Sequence, residues 1–212
     1  MKGIDPLIIC EFNFSPSKYI HDSWLESLSI NFPLVKLREH PRILNRIDNY
    51  LLNQLKLSDQ FWFDFSDPIH RIALLSNDEL AKIALYTGLV LNANVIKKTI
   101  SREQVLHIKT SLGDEAYKFA VKRATELAPK TAAPSFTWSY SESSYKAHAT
   151  VCGLKCIAIP FAGNDPAAIV QRLLLKLPMN WHRSFIPPYV SDEERATINS
   201  LLPAIAKEVL QS

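Results

Sequence analysis

The chain has 212 residues, 47% of them hydrophobic and 21% charged, which is enough apolar side chain to bury a full core without metal or disulfide staples and excludes global disorder. A formal net charge of +3 and a pI near 8.7 are too mild to argue for nucleic acid unless the basic residues are concentrated in one patch. Three cysteines, an odd number, argue against a disulfide framework.

The opening MKGIDPLIICEF lacks the long apolar core and small-residue cleavage site of a secretory signal, which predicts a cytoplasmic protein. Residues 6–14, PLIICEFNF, are the one stretch that reads as a strand, an extended segment running along the core. Ser15-Pro16 then reads as an N-cap followed by proline at the first helical position. It leads into Tyr19, Ile20, Trp24, Leu25 and Leu28 at helical spacing. A second helix is expected from Pro41, with Leu44, Ile47, Leu51 and Leu55 on one stripe.

Phe61, Trp62, Phe63 and Phe65 then place four aromatics in five residues between helices, where alternating ring directions cannot all enter one core. Packing in the core is the plainer reading, and a partner anchor at Trp62 the sharper one. Asp67-Pro68 repeats the cap-then-proline start. Capping boxes, in which a serine and a Glu or Gln three residues on satisfy each other's backbone donors, appear at Ser76/Glu79, Ser101/Gln104 and Ser191/Glu194.

Between the first two boxes, residues 80–91 are apolar almost all round, with Lys82 and Tyr86 the main exceptions. They predict a central buried helix in which Gly88 lets a neighbour approach closely. The stretch is also well short of the ~20 residues a membrane span needs. From Lys97 to Lys130, eight basic residues face four acidic ones, spread through helices without the aromatic interleaving that stacks on bases. A solvated face explains them most simply, and an acidic protein partner is the alternative. Leu112-Gly113 reads as a helix end before another helix over residues 115–128.

Residues 129–144, rich in Pro, Ser, Thr and Ala, are expected to form a long exposed loop, the place where two lobes would meet if the chain had them. His148, Cys152 and Cys156 share one helix side, but the first and last would lie about 12 Å apart at ~1.5 Å per residue, too far to share a zinc ion. Buried thiols are the plainer reading. After Asp165-Pro166, Ile169, Val170, Leu173, Leu174 and Leu177 form an inward stripe. Arg172 and Lys176 stack on the opposite side, and Leu175 projects outward among Gln171 and Arg172: cover by another part of the fold is the plainer reading, and a docking site with a basic rim the sharper one. In the last helix Ile198, Leu201, Leu202, Ile205 and Val209 keep one stripe through Pro203, where a kink or break is expected.

The expected fold is therefore all-α, a compact single-domain bundle over residues 1–212 with about eight or nine short helices. No nucleophile elbow, Walker loop, dinucleotide fingerprint or metal-ligand spacing occurs, and the paired carboxylates fall in first turns, where the helix dipole favours them. No catalytic residue, cofactor or metal is expected. What the residues leave open is a helical module that binds other proteins, regulatory or chaperone-like among the possibilities, or an enzyme assembled from scattered histidines and carboxylates.

Five segments carry a resemblance: FNFSPSKYIHDSWL (12–25), ALYTGLVLNANVIKKTI (84–100), LGDEAYKFA (112–120), RLLLKLPMNW (172–181) and LLPAIAKEV (201–209). In order and spacing they resemble the SctK (YscK-type) proteins of bacterial type III secretion systems. The resemblance implies a non-enzymatic component of the cytoplasmic sorting platform beneath the injectisome, peripheral to the inner membrane. There it bridges the cytoplasmic domain of the inner-membrane ring protein (SctD type) and the pod protein (SctQ type) that carries the export ATPase complex. Neither nucleic acid nor direct membrane insertion is implied. From the residues themselves, Trp62, Arg172, Leu175, Lys176 and Trp181 are the candidate contact residues.

Overall fold

The computed structural model of the chain describes residues 4–29, 32–130, 133–134, 144–162 and 167–210. Among them every regular element is helical and no strand is present. In chain order the α-helices are α1 (Pro6–Phe14), α2 (Asp22–Leu28), α3 (Leu34–Leu37), α4 (Leu44–Gln54), α5 (Pro68–Ile72) and α6 (Asn77–Lys98), followed by α7 (Arg102–Leu112), α8 (Asp114–Lys122), α9 (Ala124–Leu127), α10 (Tyr145–Ala158), α11 (Ala167–Leu175) and α12 (Asp192–Leu210). Nine of these have seven or more residues, as the sequence predicts.

The extended reading of residues 6–14 is corrected: this stretch is α1. The Asp5 side chain accepts a hydrogen bond from the Leu7 N–H at 2.9 Å, and Pro6 occupies the first helical position. Together they satisfy one orphan donor and remove another at the helix start.

The chain divides into two compact units, Met1–Leu80 with Asn164–Arg183 and Ala81–Gly163 with Ser184–Ser212. In the first, Ile20, Leu25, Leu34, Ile47, Leu51, Leu52, Leu57 and Leu175 pack as one buried cluster. The helix expected from Ser15 is broken. A 3-10 turn covers Pro16–Lys18, and α2 starts only after His21, whose Nδ1 accepts from the Ser23 N–H at 3.2 Å. The His21 N–H donates to the Leu175 carbonyl at 2.8 Å, so a tertiary bond replaces the helical one. A second 3-10 turn, Pro41–Ile43, likewise delays α4. Asp67 caps α5 by accepting from the Ile69 N–H at 2.8 Å.

In the second unit α6 is buried continuously from Ile83 to Val90. Tyr86, expected as an exception, is 5% exposed and packs on Phe119 with ring centroids 4.6 Å apart. A Cβ placed on Gly88 would overlap the Ala149 carbonyl oxygen of α10, and one on Gly153 would overlap the Ala84 carbonyl oxygen of α6. The two helices cross at backbone contact, which only glycine permits. Gly113 has a φ of 84° and turns α7 into α8. The helix expected over 115–128 is divided at Arg123 into α8 and α9.

The capping boxes at Ser76/Glu79 and Ser191/Glu194 form in both directions. Ser101 precedes α7 as expected, but its side chain makes no cap hydrogen bond. α12 runs through Pro203 without a break, burying Ile198, Leu201, Leu202, Ile205 and Val209. The stripe is strong enough to hold the helix across the missing donor. Most of the loop expected at 129–144, and the Asp165-Pro166 start, lie outside the described residues.

Candidate interaction surface

Arg172, Leu175 and Lys176, expected to face outward, are instead core: they are 0%, 4% and 4% exposed. Around α11, Ile169, Leu173 and Leu177 of the expected inward stripe are buried, while Val170 and Leu174 are only half-buried beside the exposed Gln171. Among the described residues no carboxylate pairs with Arg172. Its Nη1 donates to the Ala168 carbonyl at 3.2 Å, and its Nη2 to those of Asn13 and Leu57 at 3.1 and 3.4 Å. The guanidinium lies 5.8 Å from the centre of the Phe12 ring.

One turn on, Lys176 Nζ donates to the Leu75 carbonyl at 2.7 Å and lies 5.6 Å and 5.2 Å from the Phe12 and Tyr19 rings. Carbonyl oxygens and ring faces thus replace carboxylates as partners for two buried cations. Burial lowers the Lys176 pKa to about 7, with nearby Glu79 opposing the shift. Burial also pushes the Arg172 pKa down and the Tyr19 phenol well up. Lys176 forms part of the wall of a recess of about 480 Å³ together with Glu11, Tyr19 and Glu79.

The aromatic stretch is held differently. Asn13, fully buried on α1, donates from Nδ2 to the Trp62 carbonyl at 2.7 Å and accepts at Oδ1 from the Trp62 N–H at 2.8 Å. One amide side chain therefore plays the part of a neighbouring strand for an extended segment. Phe65 turns inward and meets Phe12 edge-on at 5.4 Å. Phe61 and Phe63 turn outward and gather around Phe14, at 5.1 Å and 6.4 Å from it and 6.3 Å from each other.

This three-ring ledge is exposed: 45% for Phe14, 40% for Phe61 and 56% for Phe63. Trp62 is half-buried and meets His70 edge-on at 5.3 Å, so the rings that face outward in this stretch are those of its two neighbours. Trp181, also half-buried, lies in a 3-10 turn, Met179–Ser184. Phe14 escaped sequence reading because residues 6–14 were read as extended, although Asp5-Pro6 is the same start signal recognised at Asp67-Pro68.

The second unit carries the charge excess, with 13 basic side chains against 9 acidic, compared with 11 against 12 in the first. Lys118 and Lys122 project from α8 beside a recess of about 430 Å³ that Lys82, Tyr86, Glu115, Arg123 and Glu208 also line. Arg123 pairs with Glu208 at 2.8 Å and with Glu126. On α10, Cys152 Sγ lies 3.4 Å from His148 Nε2, and burial pushes the Cys156 thiol far above its ordinary range. Among the described residues no three His, Cys, Asp or Glu side chains are grouped to hold a metal, and no helix is long and apolar enough to cross a membrane.

The described residues form two all-helical units, one carrying an exposed ring cluster and the other a surplus of basic side chains. The profile of the YscK family, described as YOP proteins translocation protein K, matches residues 6–212, and the chain belongs to that family. Among solved structures, the cytoplasmic domain of the T3SS sorting platform protein PscK from P. aeruginosa superposes with a TM-score of 0.61 at 16% identity. That alignment covers 95% of this chain and 93% of the matched domain's chain, and establishes a shared fold. Against curated proteins the sequence finds no match.

Proposed function

We propose that the chain is an adaptor of the type III secretion sorting platform in the bacterial cytoplasm. It links the cytoplasmic domain of the inner-membrane ring protein, SctD type, to the pod protein, SctQ type, that carries the export ATPase complex. The observation that carries this reading is the family match over residues 6–212. It is supported by the fold shared with PscK, itself described as a sorting platform protein.

The residues fit such a role. Large exposed rings clustered on one unit and a surplus of cations on the other are the ingredients of two chemically different contacts, one anchored by apolar area and one steered by charge. Attachment to the membrane is through the ring protein.

The test is co-purification of the tagged chain from bacteria carrying the secretion apparatus, paired with a deletion strain. Retention of both ring and pod proteins, together with loss of secretion on deletion, is the expected outcome. If neither protein is retained and the deletion strain secretes normally, the reading is wrong.

A further inference from the structure

The ledge of Phe14, Phe61 and Phe63 differs from the rest of the molecule in charge as well as exposure. Residues 4–14 and 58–67, which build it, contain Asp5, Glu11, Asp59, Asp64 and Asp67 and no Lys, Arg or His, in a chain whose net charge is +3. All five carboxylates are exposed. Asp5 and Asp67 cap helices, and Asp64 accepts from the Ser66 N–H at 3.0 Å and from its hydroxyl at 2.6 Å. The Ser66 hydrogen bonds hold the Asp64 carboxyl below its ordinary range. Lys18 pairs with Glu11 and Arg71 donates to the Phe65 and Ser66 carbonyls, so the five carboxylates outnumber these two cations and set a negative sign for the surface.

We propose that this ledge is a docking site for a basic segment of a partner protein, one that places an aliphatic or aromatic side chain among the three rings and Lys or Arg side chains over the surrounding carboxylates. The proposal rests on the adaptor reading and gives one of its contacts a place and a chemistry. Two observations select this occupant. Three rings within 6.4 Å of one another and exposed together form an apolar centre of the kind that anchors interfaces. A border in which carboxylates outnumber cations repels an acidic segment and steers a basic one. Asn13 fixes the backbone of Trp62 between the two outer rings, so little order is lost when the partner arrives. A lipid surface does not fit, because anionic headgroups would meet like charge.

The experiment places a photo-crosslinking amino acid at position 63 of the full chain in bacteria carrying the secretion apparatus, with a second at Tyr189 as a control. Crosslinked peptides are mapped, and retention of the ring and pod proteins is measured in the same cells. The expected result is a crosslink from position 63 to a segment of net positive charge within a protein of the apparatus. Its yield should fall at least tenfold in Asp59→Asn/Asp64→Asn, which keeps the turn at Ser66 while removing two charges. The control crosslinks at position 189 and the melting temperature should be unchanged.

Crosslinking to a neutral or acidic segment, to a second copy of the chain or to lipid overturns the proposal. So does a yield insensitive to the Asn variants, or no crosslink at position 63 while both ring and pod proteins are retained. Loss of both proteins from the co-purification instead sinks the adaptor reading itself, which separates the two failures.

Discussion

Lys176 shows how a buried cation writes itself into a pH profile. Its folded pKa of about 7 lies below the ~10.4 of a free lysine, so between these values the unfolded chain binds a proton that the folded chain does not. Stability therefore rises as pH increases from about 7 and is lost as pH falls back toward it, by about 1 kcal/mol per unit. Urea denaturation at pH 7 and pH 9 should show this gain in the wild type, and Lys176→Met should flatten it. Arg172→Ala removes three hydrogen bonds to buried carbonyls along with the packing on Phe12, and should cost more than about 3 kcal/mol by the same measurement. Leu175→Asp combined with Lys176→Glu would be tolerated on an open surface. With both positions 4% exposed, the double variant is expected not to fold, as circular dichroism will show.

At the scale of the element, a glycine in mid-helix ordinarily gains about 1 kcal/mol on replacement by alanine. Gly88→Ala and Gly153→Ala should do the reverse and cost several kcal/mol, because the added carbon overlaps backbone that cannot move aside. Thermal melts of the two variants read the sign directly. The buried run from Ile83 to Val90, the caps at Asp67, Ser76 and Ser191, and the turn at Gly113 were all legible in the sequence, since each depends on residues within a few positions of one another. The breaks at His21 and Arg123 and the burial of Arg172 were not. His21 gives its N–H to Leu175 and Arg172 reaches Asn13 and Leu57, and no local pattern announces a partner more than 100 positions away. On α11 the helical wheel also misled for a physical reason, because long basic side chains count as outward on any pattern yet here lie against rings and carbonyls.

For the whole molecule, the two units differ in the sign of what they expose, and that difference can be separated experimentally. Lys118→Glu/Lys122→Glu reverses charge on α8, while Asp59→Asn/Asp64→Asn neutralises the border of the rings. If the adaptor reading holds, each pair should reduce co-purification of one partner severalfold and leave the other near the wild-type level, with the salt sensitivity of the first contact falling as its cations are removed. Equal loss of both partners in either variant would place both contacts on one surface.

Asn13 faces two ways: its own carbonyl receives the buried guanidinium of Arg172, while its amide grips Trp62 and so steadies the outward rings. Asn13→Asp, which exchanges a single nitrogen for oxygen, would set two acceptors against each other at that grip while leaving the hold on Arg172 intact. A lesion that small, invisible to any inspection of the exterior, would reach a neighbouring protein as a misaligned handhold.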